Sequence, residues 1–136
     1  MLRSLVIASV FLLLSSRSTQ AAEPASVDVA GCWSGYWISC SDGHSGPMQA
    51  TICKVGDNCY EARFRGRFWV VVPFRYTMTF REVDRDGDKV ILAGEHRLGP
   101  VLGTYSFTAT VTATDFDASY TARRDHGKFV MQRVGP

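Results

Sequence analysis

Apolar and polar residues alternate with a period of two almost without interruption from Trp33 to Arg133, and this feature constrains the fold more than any other. A period of two sends successive side chains to opposite faces of a strand and leaves almost no room for helix. The runs read as strands at Trp33–Ser39, Pro47–Lys54, Cys59–Arg67, Phe74–Val83, Lys89–His96, Gly103–Ala113, Phe116–Arg123 and Lys128–Arg133. Turn chemistry supports most of the breaks. Arg85-Asp86-Gly87 fits a three-residue hairpin loop in which glycine takes the positive φ cheaply. Gly56-Asp57-Asn58 and Asp125-His126-Gly127 carry similar signals, whereas the break at Thr114-Asp115 has no glycine and is the weakest. Eight short strands joined by tight turns predict an all-β, antiparallel up-and-down meander, closed into a small barrel so that no edge stays open. A β-sandwich is the alternative.

Parity assigns the inward face. It carries Trp33, Trp37, Met48, Ala50, Ile52, Tyr60, Ala62, Phe64, Gly66, Phe74, Tyr76, Met78 and Phe80, then Val90, Leu92, Tyr105, Phe107, Ala109, Val111, Phe116, Ala118, Tyr120, Phe129 and Met131. Large residues alternate with Ala and Gly, as a small tapering barrel requires. The opposite face is polar, including Thr104, Ser106, Thr108, Thr110 and Thr112, the pattern of an antiparallel sheet with one face in water.

The N-terminus reads differently. A short basic start at Arg3, an apolar run from Leu5 to Leu14 and small residues up to Ala21-Ala22 are laid out as a secretory signal peptide, residues 1–22. About ten apolar residues fall well short of the roughly twenty that span a bilayer, so no transmembrane segment is expected in the mature chain. The expected product is secreted or periplasmic, with 23–30 as a linker and 31–136 as one β-barrel domain. Without Arg3 and Arg17 the 15 basic side chains fall to 13, equal to the 13 acidic ones. A mature chain with no net charge gives no support for a nucleic-acid partner.

Gly31-Cys32-Trp33 near the start and Phe129-Val130-Met131-Gln132-Arg133 near the end resemble the terminal signature of calycin-type barrels, the group of lipocalins and avidins. That resemblance implies a first-strand Trp packed under an Arg from the last strand, here Trp33 and Arg133, closing the barrel by stacking and cation–π contact. No biotin-site set accompanies it. The whole-chain pattern, with Gly43-His44, Phe64-Arg65-Gly66-Arg67-Phe68 and Pro73-Phe74, also resembles small exported proteins of planctomycete bacteria, which implies no particular activity.

Four cysteines fit an exported disulfide protein. Cys53 and Cys59 flank a five-residue loop on the outward parity, and a bridge between them would lock the hairpin register. Cys32 and Cys40 would lie about 26 Å apart along one extended strand, far beyond the roughly 7 Å limit of a disulfide. Either that strand bends at Gly35, or these thiols pair otherwise, Cys32 with Cys53 being the alternative. No C-x2-C spacing supports zinc.

Asp84, Asp86, Asp88 and Glu95 fall at positions 1, 3, 5 and 12 of a calcium loop, but Lys89 occupies position 6, where the sharp turn requires glycine. The segment therefore reads as an acidic hairpin tip with Glu95 a strand away. Arg63, Arg65 and Arg67 share the outward face of one strand, with Arg75 and Arg81 on the next. This row could grip an anionic partner, but no aromatic residues interleave with it as nucleic-acid stacking would demand. No nucleophile elbow, phosphate loop or His-Glu-x-x-His helix occurs, so no enzyme, cofactor or metal is expected.

In a meander, loops one, three, five and seven open at the same end. They bring together His44, His96, His126 and the apolar run Phe68-Trp69-Val70-Val71-Val72-Pro73. Trp69, Val70, Val71, Val72, His44, His96 and His126 are therefore the ligand-binding candidates. The function expected is an exported, non-enzymatic binding module using the barrel interior or mouth for a small molecule. The alternative is a structural or partner-binding envelope protein with a fully packed barrel.

Overall fold

The computed structural model describes residues 26–68 and 71–136. The expected signal peptide, and Trp69 and Val70 among the ligand candidates, lie outside the described residues. Eight strands run in order: β1 (Gly31–Ser39), β2 (Ser45–Gly56), β3 (Cys59–Phe68), β4 (Val72–Asp86), β5 (Lys89–Arg97), β6 (Thr104–Val111), β7 (Asp115–Thr121) and β8 (His126–Gly135). Each pairs antiparallel with its neighbour in sequence, and β1 pairs with β8, closing the barrel. A single helical turn, α1 (Gly99–Leu102), interrupts the β5–β6 connection. Every described strand and core side chain falls within residues 27–135.

The inward parity holds throughout. Trp33, Phe64, Phe80 and Phe116 are among the largest side chains fully removed from water, while Phe74 and Tyr76 are only partly covered. The core also takes in Val27 and Val29, so the segment expected to be a linker packs against the barrel from Val27 onward. These two valines share the odd parity of Trp33; the alternation starts earlier than the strand does.

The end of the barrel nearest the chain start is sealed. Arg133 lies opposite Trp33, its guanidinium carbon 4.3 Å from the centre of the indole. Its Nε donates to the Ala113 carbonyl at 2.8 Å, one terminal nitrogen donates to Ala30 at 2.7 Å, and the other donates to Asp28. The Trp33 indole donates to the Val29 carbonyl at 3.1 Å. Gly31 makes this possible: its φ is +137°, and a Cβ there would lie 2.4 Å from the Arg133 guanidinium. Beside this plug, Arg85 grips Glu82 through two hydrogen bonds of 2.8 and 3.0 Å and donates to the Val27 carbonyl at 3.0 Å. The Arg85 hydrogen bonds hold the Glu82 carboxyl below its ordinary range.

The expected Cys53–Cys59 bridge is not made; all four cysteines are free thiols. The β2–β3 register explains this. It sets Cys53 opposite Glu61 and Cys59 opposite Gly56, with a bulge between Lys54 and Gly56. The turn is thus the tighter Asp57-Asn58, with Asn58 at φ +56°, and the two thiols do not face each other across it. Likewise the β4–β5 turn is Gly87-Asp88 rather than three residues, because β4 runs on to Asp86. The glycine-free break is explained by Thr112, whose hydroxyl accepts from the Asp115 backbone at 3.1 Å and so supplies a side-chain turn.

Candidate functional site

At the opposite end the barrel is open. A cavity of about 340 Å³ lies there, lined by Trp37, Met48, Phe68, Phe74, Tyr76, Leu98, Leu102, Tyr105, Phe107, Tyr120 and Phe129, with Arg75 and Asp125 as its charged groups. Its size is at the lower end of the range of small-molecule pockets, and its lining is overwhelmingly apolar and aromatic.

Local sequence explains why the lumen opens here. Three rings face a glycine on the adjacent strand: Trp37 opposite Gly46, Phe74 opposite Gly66 and Tyr120 opposite Gly127. A Cβ on Gly66 would meet the Phe74 ring at 2.5 Å, and one on Gly127 would meet the Tyr120 hydroxyl at 2.6 Å. These rings therefore lie against the wall over bare backbone instead of filling the centre. Trp37 is fixed further by its indole, which donates to the Arg67 carbonyl at 3.3 Å, and by edge contact with Phe68, 5.1 Å between centroids. Tyr76 stacks between Phe64 at 5.0 Å and His96 at 5.4 Å.

One polar cluster reaches the cavity. Asp125, in the β7–β8 turn, accepts from the Ser39 hydroxyl at 2.6 Å and from the Tyr120 hydroxyl at 3.4 Å. Burial first, and then the Asp125 charge, push the Tyr120 and Tyr105 hydroxyls above their usual range. Burial raises Tyr76 as well. All three therefore stay neutral donors across physiological pH, and Asp125 is the acceptor that a ligand would meet.

The candidates among the described residues, Val71, Val72, His44, His96 and His126, surround this cavity without lining it. His96 comes nearest, stacked behind Tyr76. His44 turns to Asp42, Nδ1 to Oδ2 2.7 Å. His126 is exposed, with Nδ1 3.0 Å from the Ser41 hydroxyl. Val71 and Val72 project from the rim into solvent. The three histidines stand apart, His44 in the β1–β2 loop, His96 near the end of β5 and His126 at the start of β8, and among the described residues no three His, Cys, Asp or Glu side chains come together to hold a metal. Ser41 and His126 form a hydroxyl–imidazole pair, but Ser41 Oγ already accepts the His126 backbone N–H at 3.2 Å and the pair lies outside the cavity.

Asp125, Ser39, Leu98 and Leu102 are the site residues that sequence reasoning missed. Ser39 was detectable, because it continues the inward parity of Trp33 and Trp37. Asp125 was not, since a turn aspartate reads as turn chemistry whether its carboxylate faces water or the lumen.

The arginine row is outward and exposed as expected. Arg63 pairs with Glu61 at 3.0 Å, Arg65 donates to Gln49 at 2.7 Å, and Arg65 stands opposite Arg75.

No protein-family model and no curated protein matches the chain. Among solved structures it is similar to EF1p2_mFAP2b bound to DFHBI, with a TM-score of 0.55 and 16% identity over 77% of this chain and 93% of that one. It is also similar to a de novo designed fluorescence-activating β-barrel, with a TM-score of 0.53 and 14% identity over the same shares. These likenesses show the fold: a small, closed barrel of eight antiparallel strands.

Proposed function

We propose that this chain is a non-enzymatic binding module that takes a small, largely aromatic ligand into the mouth of its barrel. The observation that carries the reading is the aromatic cavity of about 340 Å³ at one end of an otherwise packed barrel. The same opening argues against the alternative of a fully packed structural barrel. Rings laid on glycine form flat walls suited to a planar molecule. Asp125 then selects for a ligand carrying an N–H or O–H donor, because an unpaired buried donor elsewhere on this lining would be costly. A solved structure of similar fold is bound to DFHBI, which supports a small-molecule ligand here.

The test is a fluorescence titration with planar, environment-sensitive dyes, with and without a hydrogen-bond donor. Leu98→Trp should fill the mouth and reduce binding at least tenfold while the fold persists, and Asp125→Asn should weaken only the donor-bearing dyes. Unchanged binding in both variants would move the site elsewhere.

Export through the leader, and the likeness to small exported planctomycete proteins, belong to the same proposal. Intact-mass measurement of protein released by a host cell should give an N-terminus at Ala22 or Glu23, and retention of Met1 would overturn it.

A further inference from the structure

The absence of net charge on the mature chain conceals a separation of charge along the barrel axis. Around the mouth stand Arg67 at the end of β3, Arg97 at the end of β5, and Arg123 and Arg124 in the β7–β8 turn, all exposed. None is ion-paired among the described residues, whose salt bridges are His44–Asp42, Arg63–Glu61 and Arg85–Glu82. The acids of this end are fewer: Asp42 is engaged by His44, Asp125 turns toward Ser39 and Tyr120, and Glu95 is exposed on β5 two residues before Arg97. The far end is richer in acids: Asp57, Asp84, Asp86, Asp88 and Asp115 lie in or beside its turns against the exposed Lys54 and Lys89, while Arg85 and Arg133 are drawn into the plug.

The same rim carries exposed apolar side chains. Val71 is 74% exposed and Val101 84%, with Phe68, Val72 and Leu102 beside them. The other exposed apolar side chains, Tyr36, Val55, Val83 and Val134, are spread over the wall and among the aspartates of the far end. Apolar loop tips ringed by unpaired guanidinium groups are the two halves of a membrane-surface anchor. The tips enter the acyl boundary, and the guanidiniums meet phosphates bidentately. The outward wall of the barrel, rich in Thr, Ser and Arg, lacks the apolar band of a spanning barrel, so contact would be end-on rather than through the bilayer.

We propose that the barrel docks mouth-first on an anionic lipid bilayer, with Val71, Val101 and their neighbours at the headgroup boundary and the four rim arginines on lipid phosphates. A soluble polyanion would match the arginines but give the apolar tips nothing to bury against. Two mouths facing each other would set like charges together. Docking in this orientation presents the aromatic cavity to the membrane, but it rests on the rim alone and stands or falls separately from ligand binding.

The experiment is vesicle co-sedimentation of the chain from Ser26 onward, which contains every described strand and core side chain and omits the apolar run at Leu5–Leu14. Vesicles are phosphatidylcholine alone or with about 30% phosphatidylglycerol, the latter giving a surface that attracts each nearby arginine. Binding is expected to the anionic vesicles only. The rim variant R67Q/R97Q/R123Q/R124Q should lose about 100-fold in partitioning. K54Q/R63Q/R81Q/K89Q, with the same net charge but its changes away from the rim, should lose less than about threefold by the same electrostatics. V71S/V101S should lose about tenfold and leave residual binding that high salt removes. Near-UV circular dichroism checks that each variant is folded. Equal losses in the two charge variants, equal binding to both vesicles, capture by heparin without vesicle binding, or head-to-tail self-association in place of vesicle binding would each overturn the proposal.

Discussion

The two ends of this barrel are built from the same residue types and do opposite things with them. At the sealed end, Trp33 and Phe116 pack with centroids 5.7 Å apart, Arg133 covers the indole, and Val27 and Val29 complete the plug. At the mouth, Trp37, Phe74 and Tyr120 lie back on Gly46, Gly66 and Gly127, and the lumen between them is open. An aromatic ring is thus core or cavity wall according to what faces it. Opposite Trp33 on β2 stands Ala50, whose methyl belongs to the packed core; opposite Trp37 stands bare backbone. Stability is concentrated in the sealed end, and the capacity to bind in the open one.

The contrast can be tested most severely at Trp33. Trp33→Ala should cost about 3–5 kcal/mol in denaturant unfolding, as a large-to-small change in a fully packed site. Arg133→Ala should cost about 2–3 kcal/mol through loss of its charged hydrogen bonds to three carbonyls. A double-mutant cycle should show coupling of about 1 kcal/mol or more, and additivity of the two changes would dissolve the closing pair.

At the mouth, Phe74→Ala should cost only about 1–2 kcal/mol, since the ring already borders open space and little new cavity is created. The same change should weaken any ligand found by titration. A loss equal to that of Trp33→Ala would mean that the mouth is core and the two ends do not differ.

A pH titration sharpens the comparison further. The Glu82 carboxyl is lowered from 4.5 chiefly by its hydrogen bonds from Arg85, with burial opposing them. Its contribution is therefore fully present above pH 4.5 and lost as pH falls through the lowered folded value. Glu82→Gln should cost about 1 kcal/mol at neutral pH and flatten the acid limb of the stability curve. An unchanged acid limb would place the acid sensitivity in other carboxylates.

The smallest effect concerns the thiols. Cys53→Ser with Cys59→Ser should change stability by no more than about 0.5 kcal/mol, and reductant should leave Tm unmoved. A loss of the roughly 2–3 kcal/mol that a short-loop bridge supplies would show the pair to be oxidised in solution.

Alternation was readable because it is local: each residue's face follows from its neighbours two positions away. Eight strands, their order and the inward list from Trp33 to Met131 were therefore present in the sequence, and the paired ends pointed to Trp33 and Arg133. Val27 and Val29 belong to the same parity but read as linker, because no strand turn chemistry encloses them. What the sequence did not contain is the result of pairing at a distance. The β2–β3 register set Cys53 opposite Glu61, and the bulge between Lys54 and Gly56 set Cys59 opposite Gly56. The juxtaposition of glycine with ring across strands opened the mouth, and chain reversal at the β7–β8 turn aimed Asp125 into it. Alternation specifies which way a side chain points; only the closed barrel decides what it meets there, because register and the space left in the lumen are set by residues far apart in the chain.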